Sequence, residues 1–479
     1  MANDVNLQYT FKLDAPYTKH VFLIDQSYAS IQLSCDFSVH DWMMLLIWDP
    51  NNQLRAQYLK VNESAFRIQL SQQPDQCSYS AVPGEIISGE WTIELFSNGG
   101  NCNFDLRIEV NNHDSQLQPK QHWMTKQNKE PFFHLNQLNR TKVFNQEARW
   151  YKGDFHTHTT ISDGKLTPEL GMEQARKQGL DFFVATDHNV IPTNWVDSEL
   201  LVIPGVEITS SKGHFNALGV DQWLDWRPTC QDGGMESEVG MNRLLRETKE
   251  ANGVRSINHP LLRPWEWQFK QTDLREVDVI EIWNDPTYQD NPLATEHALK
   301  LWDELLLDGH KIYGIGGSDS HNLPTESYQE GGPPSLIGDP ATYIYAENLS
   351  ILSVLAGLRR GEAYVARGPE LFFDIQDENG PVRLGSTFTG KLTYSFHYKN
   401  VPADSKVIWI KNGERVESTN LLTEGLTEKM FEIEKEYAYI RLEVRKENGE
   451  LVAFTNPIFQ GIKTPSIRNW EELLQKAGY

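Results

Sequence analysis

The sequence predicts a mixed α/β chain in which a β/α barrel is flanked by two all-β sandwich modules. Between residues 152 and 317, short apolar runs alternate with amphipathic helical stretches, the pattern that builds a parallel sheet covered by helices. On either side, within 5–112 and 368–462, strand-like runs follow one another with only turn residues between them. At 479 residues the chain is too long for one small core, so several domains are expected.

In the N-terminal region, 1–112, the runs Val21–Ile24, Ile31–Cys35, Trp42–Trp48, Phe66–Leu70, Trp91–Phe96 and Phe104–Val110 are short and bounded by Asp, Asn, Pro or Gly. Several alternate apolar with polar residues, which is how a half-buried sandwich strand reads. The segment Gly89-Glu90-Trp91-Thr92-Ile93 is similar to the late strand of jelly-roll accessory modules. Residues 113–148 are rich in Gln, Asn and Lys and read as a linker over the surface. The N-terminal module is therefore expected to be separable, and a chain lacking 1–112 is expected to stay soluble.

The central region, 149–367, carries a strand at 152–156 and a helix near 167–178 opened by Thr167-Pro168-Glu169. Strands follow at 181–186, 201–207 and 214–220. A helix near 236–251 precedes strand 254–258. Strand 277–283 precedes a long helix, about 292–308, with Leu299, Trp302, Leu305 and Leu306 on one face. Strand 311–317 ends the series. In a β/α barrel, chemistry gathers at the C-terminal ends of the strands. The C-terminal region, 368–479, returns to strands, with an Asn412-Gly413 hairpin signal and a short helix near 468–477. Gly368-Pro369 leaves no flexible linker, so this module is expected to pack on the barrel.

Composition limits the function classes. Hydrophobic residues make up 39%, charged residues 23% and aromatic residues 11%, ordinary for a globular chain. No apolar run is long enough to span a bilayer, and the N-terminus shows no signal peptide, so a cytoplasmic protein without a membrane partner is expected. The formal net charge of −22 repels nucleic-acid phosphates and anionic lipid, which excludes general duplex binding. A small anionic substrate stays admissible, because bound divalent ions reverse the field locally. The four cysteines (Cys35, Cys77, Cys102, Cys230) lack metal-type spacing and read as free thiols. One disulfide among the three N-terminal cysteines is the alternative.

The chemistry concentrates in motifs at the ends of the central strands. Gly153-Asp154-Phe155-His156-Thr157-His158 is followed by Ser162-Asp163-Gly164. After it come Thr186-Asp187-His188, Gly205-Val206-Glu207 with His214, Asn258-His259-Pro260, and Ser318-Asp319-Ser320-His321. Residues two apart on an extended chain share a face, so His156 and His158 can grip one ion. Imidazole and carboxylate together suit Zn, Mn or Fe. Arg263, Asn189 and Arg367 stand near these motifs and are candidate substrate contacts, with Trp265 and Trp267 near His259 as candidate pocket walls. Asp187 reads as a residue that orients a ligating His. No dinucleotide-binding or phosphate-loop glycine motif, serine-hydrolase elbow or His-Glu-x-x-His motif competes.

This ordered set closely resembles the PHP (polymerase and histidinol phosphatase) family of metal-dependent hydrolases, and within it the branch labelled CehA/McbA. The resemblance covers roughly 150–367. It implies a distorted, TIM-like barrel holding two or three divalent ions. His156, His158, Glu207 and Asp319 would hold one ion. Glu207 would bridge to a second, held by His259 and His214. Asp163, His188 and His321 would hold a third. Asp163 stands where many members have a histidine, which leaves the number of ions open. Glu207, Asp319 and His214 are the catalytic candidates. The implied function is phosphoester hydrolysis of a small phosphorylated molecule by a metal-bridging hydroxide. Carboxylic ester, amide or carbamate hydrolysis at the same site is the first alternative. A non-catalytic binding or scaffold protein with a vestigial barrel is the second. The sandwich modules are open to a carbohydrate or protein ligand.

Overall fold

One curled sheet organises the central region. The computed structural model describes residues 5–13, 15–37, 42–61, 65–97, 102–110, 120–125, 132–432 and 436–479. Numbered from the start of the central region, the elements are β1 (Arg149–Asp154), α1 (Pro168–Lys177), β2 (Phe182–Ala185), β3 (Leu201–Ser210), β4 (Gly213–Leu218), α2 (Glu238–Glu250) and β5 (Val254–Ile257). Then come β6 (Val279–Asn284), α3 (Asn291–Asp308), β7 (Tyr313–Gly317), β8 (Ala341–Ala346), α4 (Ile351–Arg359) and β9 (Ala363–Ala366). The strand order is β7-β6-β5-β4-β3-β2-β1-β8-β9.

The expected parallel sheet is only partly what forms. β1, β2 and β3 are mutually parallel, and so are β5, β6 and β7. β4 runs antiparallel to both its neighbours, because Ser211-Lys212 turns the chain straight back after β3. β8 pairs antiparallel with β1 and with β9. At the far edge, β7 is satisfied by side chains. Asn456 Oδ1 accepts from Gly314 N at 2.7 Å, and the Thr342 hydroxyl accepts from Gly316 N at 2.9 Å and donates to Gly316 O at 2.7 Å. Since Thr342 lies on β8, its hydroxyl joins the two ends of the curled sheet.

α1, α2 and α4 each start on a residue whose side chain satisfies an orphan amide, whereas α3 starts without a side-chain cap. The Thr167, Ser237 and Ser350 side chains accept from Leu170 N, Gly240 N and Ser353 N. α3 buries Leu299, Trp302, Leu305 and Leu306, as its spacing predicts, and ends on Gly309 with φ of +100°.

The N-terminal module is two four-stranded antiparallel sheets around a core that includes Met43, Leu45, Ile47, Trp91 and Phe104. It is not loosely tethered. Strand Trp42–Trp48 is buried on both faces: Met43, Leu45 and Ile47 point into the module, and Met44, Leu46 and Trp48 join the core of the central region. Trp48 meets Trp223 edge-on at 6.3 Å, and Phe96 meets Trp226 at 5.6 Å. The Gln57 amide donates to Ile191 O at 3.0 Å and accepts from Ile191 N at 3.1 Å. Arg227 pairs with Glu94 at 3.0 Å. Residues 113–119 and 126–131 of the expected linker lie outside the described residues. Of the rest, Lys120–His122 pairs with strand Asn194–Val196, and Trp123 stacks on Trp195 at 5.9 Å.

The C-terminal module does pack on the central region, through a backbone ladder. β9 pairs with Leu451–Thr455, so one sheet runs on into the module. A second sheet, of Glu370–Asp377, Leu392–Lys399 and Gly425–Phe431, faces it across Tyr394, Phe396, Trp409 and Leu442. Arg441 binds Asp303 of α3 at 2.8 Å, and Arg445 binds Glu296 at 2.6 Å. Among the described residues Cys77 and Cys230 are free thiols, and no helix is long and apolar enough to cross a membrane.

Removing 1–112 should therefore yield aggregated protein, because it uncovers the aromatic face around Trp223 and Trp226 and frees the segment that follows His188. Size-exclusion chromatography of the truncated chain checks this, and a monodisperse, metal-binding product would contradict it.

Candidate metal centre

The sequence motifs meet at one end of the curled sheet. β1 ends at Asp154, and His156 and His158 lie on the extended segment just beyond it, so both rings turn inward past the strand and not on it. His188 follows β2, Glu207 stands on β3, His214 opens β4, His259 follows β5, and Asp319 and His321 follow β7.

Glu207 is the centre of the arrangement and is completely buried. Its Oε1 lies 3.3 Å from His156 Nε2, 3.2 Å from His214 Nδ1 and 3.5 Å from His259 Nε2. Its Oε2 lies 3.5 Å from His158 Nε2 and 2.7 Å from His188 Nδ1. The Asn258 amide donates to Oε1 at 2.8 Å and fixes the carboxylate plane. Asp319 Oδ1 stands 3.2 Å from His156 Nε2 and 3.0 Å from His158 Nε2. Asp163 Oδ1 stands 3.6 Å from His188 Nε2 and 3.4 Å from His321 Nε2.

Three sets of donor atoms each lie within 4.8 Å of one another: His158, Asp163, His188 and His321; His156, His158 and Asp319; and His156, Glu207 and His259. Glu207 and Asp319 each face more than one of these rings. His214 touches Glu207 and borders the cavity but belongs to none of the three sets.

Hydrogen bonding decides which nitrogens face inward. His156 Nδ1 donates to Glu281 Oε1 at 3.0 Å, which leaves the Nε2 lone pair pointing at Glu207 and Asp319. His321 Nδ1 donates to Asp319 O at 2.7 Å, and His188 Nδ1 lies 2.5 Å from the Thr209 hydroxyl oxygen. The Nε2 atoms of His188 and His321 then present lone pairs to each other across 3.4 Å. Lone pairs and carboxylate oxygens converging this way repel unless a cation lies among them. The buried His156 Nε2, His158 Nε2, Glu207 Oε2 and Asp319 Oδ1 have no hydrogen-bond partner. The donor set fits divalent ions that accept N and O ligands.

The electrostatics agree. Burial alone would raise Glu207, but His156, His188 and His214 hold it well below the usual carboxylate range. Asp319 is likewise held low against its burial by His156, His158 and His321. Burial, with His321 and His188, pushes His158 down to about 3, whereas Asp163 and Asp319 overcome the burial of His321 and push it up to about 10. Neighbouring imidazoles driven apart in this way mark a site whose carboxylates demand positive charge. Among the described residues no Lys or Arg pairs with Asp163, Glu207, Glu281 or Asp319.

Glu281 was not among the sequence candidates. It is 1% exposed, binds His156 Nδ1, and accepts from His259 N at 2.9 Å and from the Asn284 amide at 3.1 Å. The signal for it was a single charge inside the apolar strand β6. Asp187 orders a loop more than a histidine: its Oδ1 accepts from the backbone nitrogens of Thr159 and Ser162 at 2.8 and 3.1 Å, shaping the turn that presents Asp163. A Cβ on Gly164 would lie 2.6 Å from the His158 carbonyl carbon, and one on Gly317 would lie 2.5 Å from His156 Cβ. Both close approaches require glycine.

The three proposed substrate contacts are not brought into the cluster. Arg263 has an 88% exposed side chain, paired with Glu266 on an outer groove. Arg367 binds Asp339 at 2.9 Å and faces a groove between α3 and the C-terminal module. Asn189, with φ of +53°, binds Thr209 O and Thr209 N, each at 3.0 Å, so its amide is used inside the protein. Trp265 lines the cavity over the cluster, whereas Trp267 is buried and donates to Thr272.

The chain matches no known family model and no curated protein. Among solved structures it is similar to a two-domain protein from Bacteroides vulgatus containing a predicted PHP-like metal-dependent phosphoesterase, with 17% identity. That match covers 67% of this chain and 99% of the other, with a TM-score of 0.35. A presumptive metal-dependent phosphoesterase from Bifidobacterium adolescentis is 16% identical, covering 43% of this chain and 96% of the other, with a TM-score of 0.26. An amidohydrolase from Chromobacterium violaceum is 16% identical, covering 37% and 90%, with a TM-score of 0.21. Likeness at this level assigns neither fold nor chemistry, which rest on the geometry above.

Glu281→Gln should keep the fold and weaken metal binding roughly 10- to 100-fold, because a neutral amide no longer fixes the His156 tautomer. Competition with a chelator of known affinity reads the change, and unaltered affinity would show that Glu281 only packs.

Proposed function

We propose that the chain is a metal-dependent hydrolase on a distorted β/α barrel of the PHP type, and that it cleaves a phosphoester of a small molecule. The observation that carries this reading is the convergence of His156 Nε2, His158 Nε2, Glu207 and Asp319 on one another with no protein cation among them. Two or three ions of Zn, Mn or Fe would be held by the three donor sets, in which His156 and His158 each occur twice. Such ions, when bound, lower the pKa of water and neutralise charge developing on the oxygens of the ester.

The protein's own groups supply the rest. Asn258 fixes the Glu207 carboxylate, and Glu281 fixes His156 and the His259 backbone. Asn284 donates to Asp319 Oδ2 at 3.3 Å and is itself held by Asn291 at the start of α3. His214 is kept below its ordinary pKa chiefly by burial, so it is uncharged at neutral pH. Its Nδ1 lies 3.2 Å from Glu207 Oε1, and the ring can hold a proton in transit beside that carboxylate. The cavity above the cluster, about 280 Å³, suits a small substrate and excludes a folded macromolecule. Carboxylic ester, amide or carbamate hydrolysis is the second reading. It is favoured by a cavity lining that holds no Lys or Arg among the described residues. The free thiols support a cytoplasmic setting.

Purified protein should carry at least two equivalents of Zn, Mn or Fe, and Glu207→Gln should lose metal and turnover together. Turnover should also fall as pH drops below about 6.5, because protonation charges the ligating imidazoles and removes their lone pairs. Elemental analysis beside a panel of phosphomonoesters, phosphodiesters, acyl esters and carbamates tests the reading. Full activity in metal-free protein would end it, and turnover confined to acyl esters would select the second reading.

A further inference from the structure

The cavity over the metal centre has a second, chemically different side. Trp265, Tyr288 and Tyr328 line it together, and the three rings form a continuous wall. Trp265 and Tyr288 meet at 5.9 Å and 64°, and Tyr288 and Tyr328 at 5.3 Å and 80°. Large aromatic rings are normally buried, yet Trp265 is 40% and Tyr328 41% exposed. Both line the same cavity as Asp319 and His321.

The wall is held in place. Tyr328 sits in the loop between β7 and β8, and Ser335 of that loop donates to Asp285 Oδ2 at 2.8 Å. Asp285 Oδ1 accepts from Thr287 N at 2.9 Å and from its hydroxyl at 2.6 Å, so the carboxylate is an acceptor of three bonds. Apart from the rings and the residues of the metal centre, the lining offers Leu262, the amides of Asn284, Asn291 and Asn322 and the Asp285 carboxylate, with no Lys or Arg among the described residues. A cavity so furnished stabilises one anionic group, at the metal centre, and offers nothing to a second.

We propose that the aromatic wall selects the leaving group, and that the substrate is an ester whose leaving group is an uncharged ring stacked on Trp265 and Tyr328. Esters carrying a second anionic group are excluded. The proposal deepens the phosphoester reading and rests on it. An aryl ring and the flat face of a sugar share the required chemistry, and the test separates them.

The test is calorimetric titration of the metal-loaded full chain with phosphonates that cannot be hydrolysed. Phenylphosphonate should bind on the order of 10-fold or more tighter than methylphosphonate, the usual scale of one aromatic stack. Para-carboxyphenylphosphonate, with its second anion, should fall back toward methylphosphonate. In Trp265→Ala and Tyr328→Ala the phenyl-to-methyl ratio should approach one, and Trp265→Phe should restore it. Metal content and melting temperature of each variant confirm that the fold is kept, and the exposed rings make its loss unnecessary.

A cyclohexylphosphonate that matches phenylphosphonate would point to a saturated, sugar-like ring, and a weaker one to an aryl ring; either outcome supports the wall. A ratio near one in the parent, a ratio unchanged in Trp265→Ala, or tighter binding of the doubly charged probe would overturn the proposal. Absence of binding by every phosphonate and by inorganic phosphate would instead overturn the phosphoester reading on which it stands.

Discussion

The Glu207 carboxylate is the constraint on which the rest of the structure depends. It is buried, ionised and ringed by five imidazoles, His156, His158, His188, His214 and His259. Burying an unpaired carboxylate costs several kcal/mol even after relaxation, so its charge must be met by something. The imidazoles whose outer nitrogens are tied to Glu281 and to the Asp319 carbonyl can meet it in two ways, by taking up protons or by turning their inner lone pairs to bound cations. The strand ends deliver just the atoms that a group of divalent ions would bind. The positive φ of His259 (+28°) and Asp319 (+47°) is local backbone strain at the same place.

That constraint explains why the flanking modules are tied in so tightly. The N-terminal module clamps Ile191 through Gln57, three residues beyond His188, and its Met44 lies against Asn189. The C-terminal module holds α3 through Arg441 and Arg445, and α3 begins at Asn291, which holds Asn284 against Asp319. Both modules therefore reach the same cluster through short chains of polar contacts. A division of labour in which the central region works alone is too simple for these contacts.

Much of this was legible in the sequence. The helices and strands between 152 and 317 and the nine ligand candidates were readable because each motif sits where an apolar run ends, whereas β8, α4 and β9, which carry no motif, were not. His156, His158, Asp163, His188, Glu207, His214, His259, Asp319 and His321 all come together. The antiparallel β4 was missed although Gly213, with φ of +122°, closes the Ser211-Lys212 turn and was its one local signal. The union of the N-terminal module with the central core was also missed. Its signal was present in Trp42-Met43-Met44-Leu45-Leu46-Ile47-Trp48, an unbroken apolar run that only a strand buried on both faces can afford. Arg263 and Arg367 were chosen for closeness in sequence, but both turn to nearer carboxylates, Glu266 and Asp339. Glu281, Tyr288 and Tyr328 lack any motif. Their roles depend on which strand ends lie side by side, and pairing between distant strands is what local patterning does not encode.

The most direct measurement is anomalous diffraction from crystals of the protein as purified, recorded on either side of the absorption edges of zinc, iron and manganese. Peaks should appear on both sides of the Glu207 carboxylate, within bonding distance of its oxygens and about 3.5–4 Å apart, as two-ion hydrolytic sites require. Well-ordered crystals with no anomalous scatterer near Glu207, and with imidazolium–carboxylate pairs filling the cluster, would contradict the metal centre at its root.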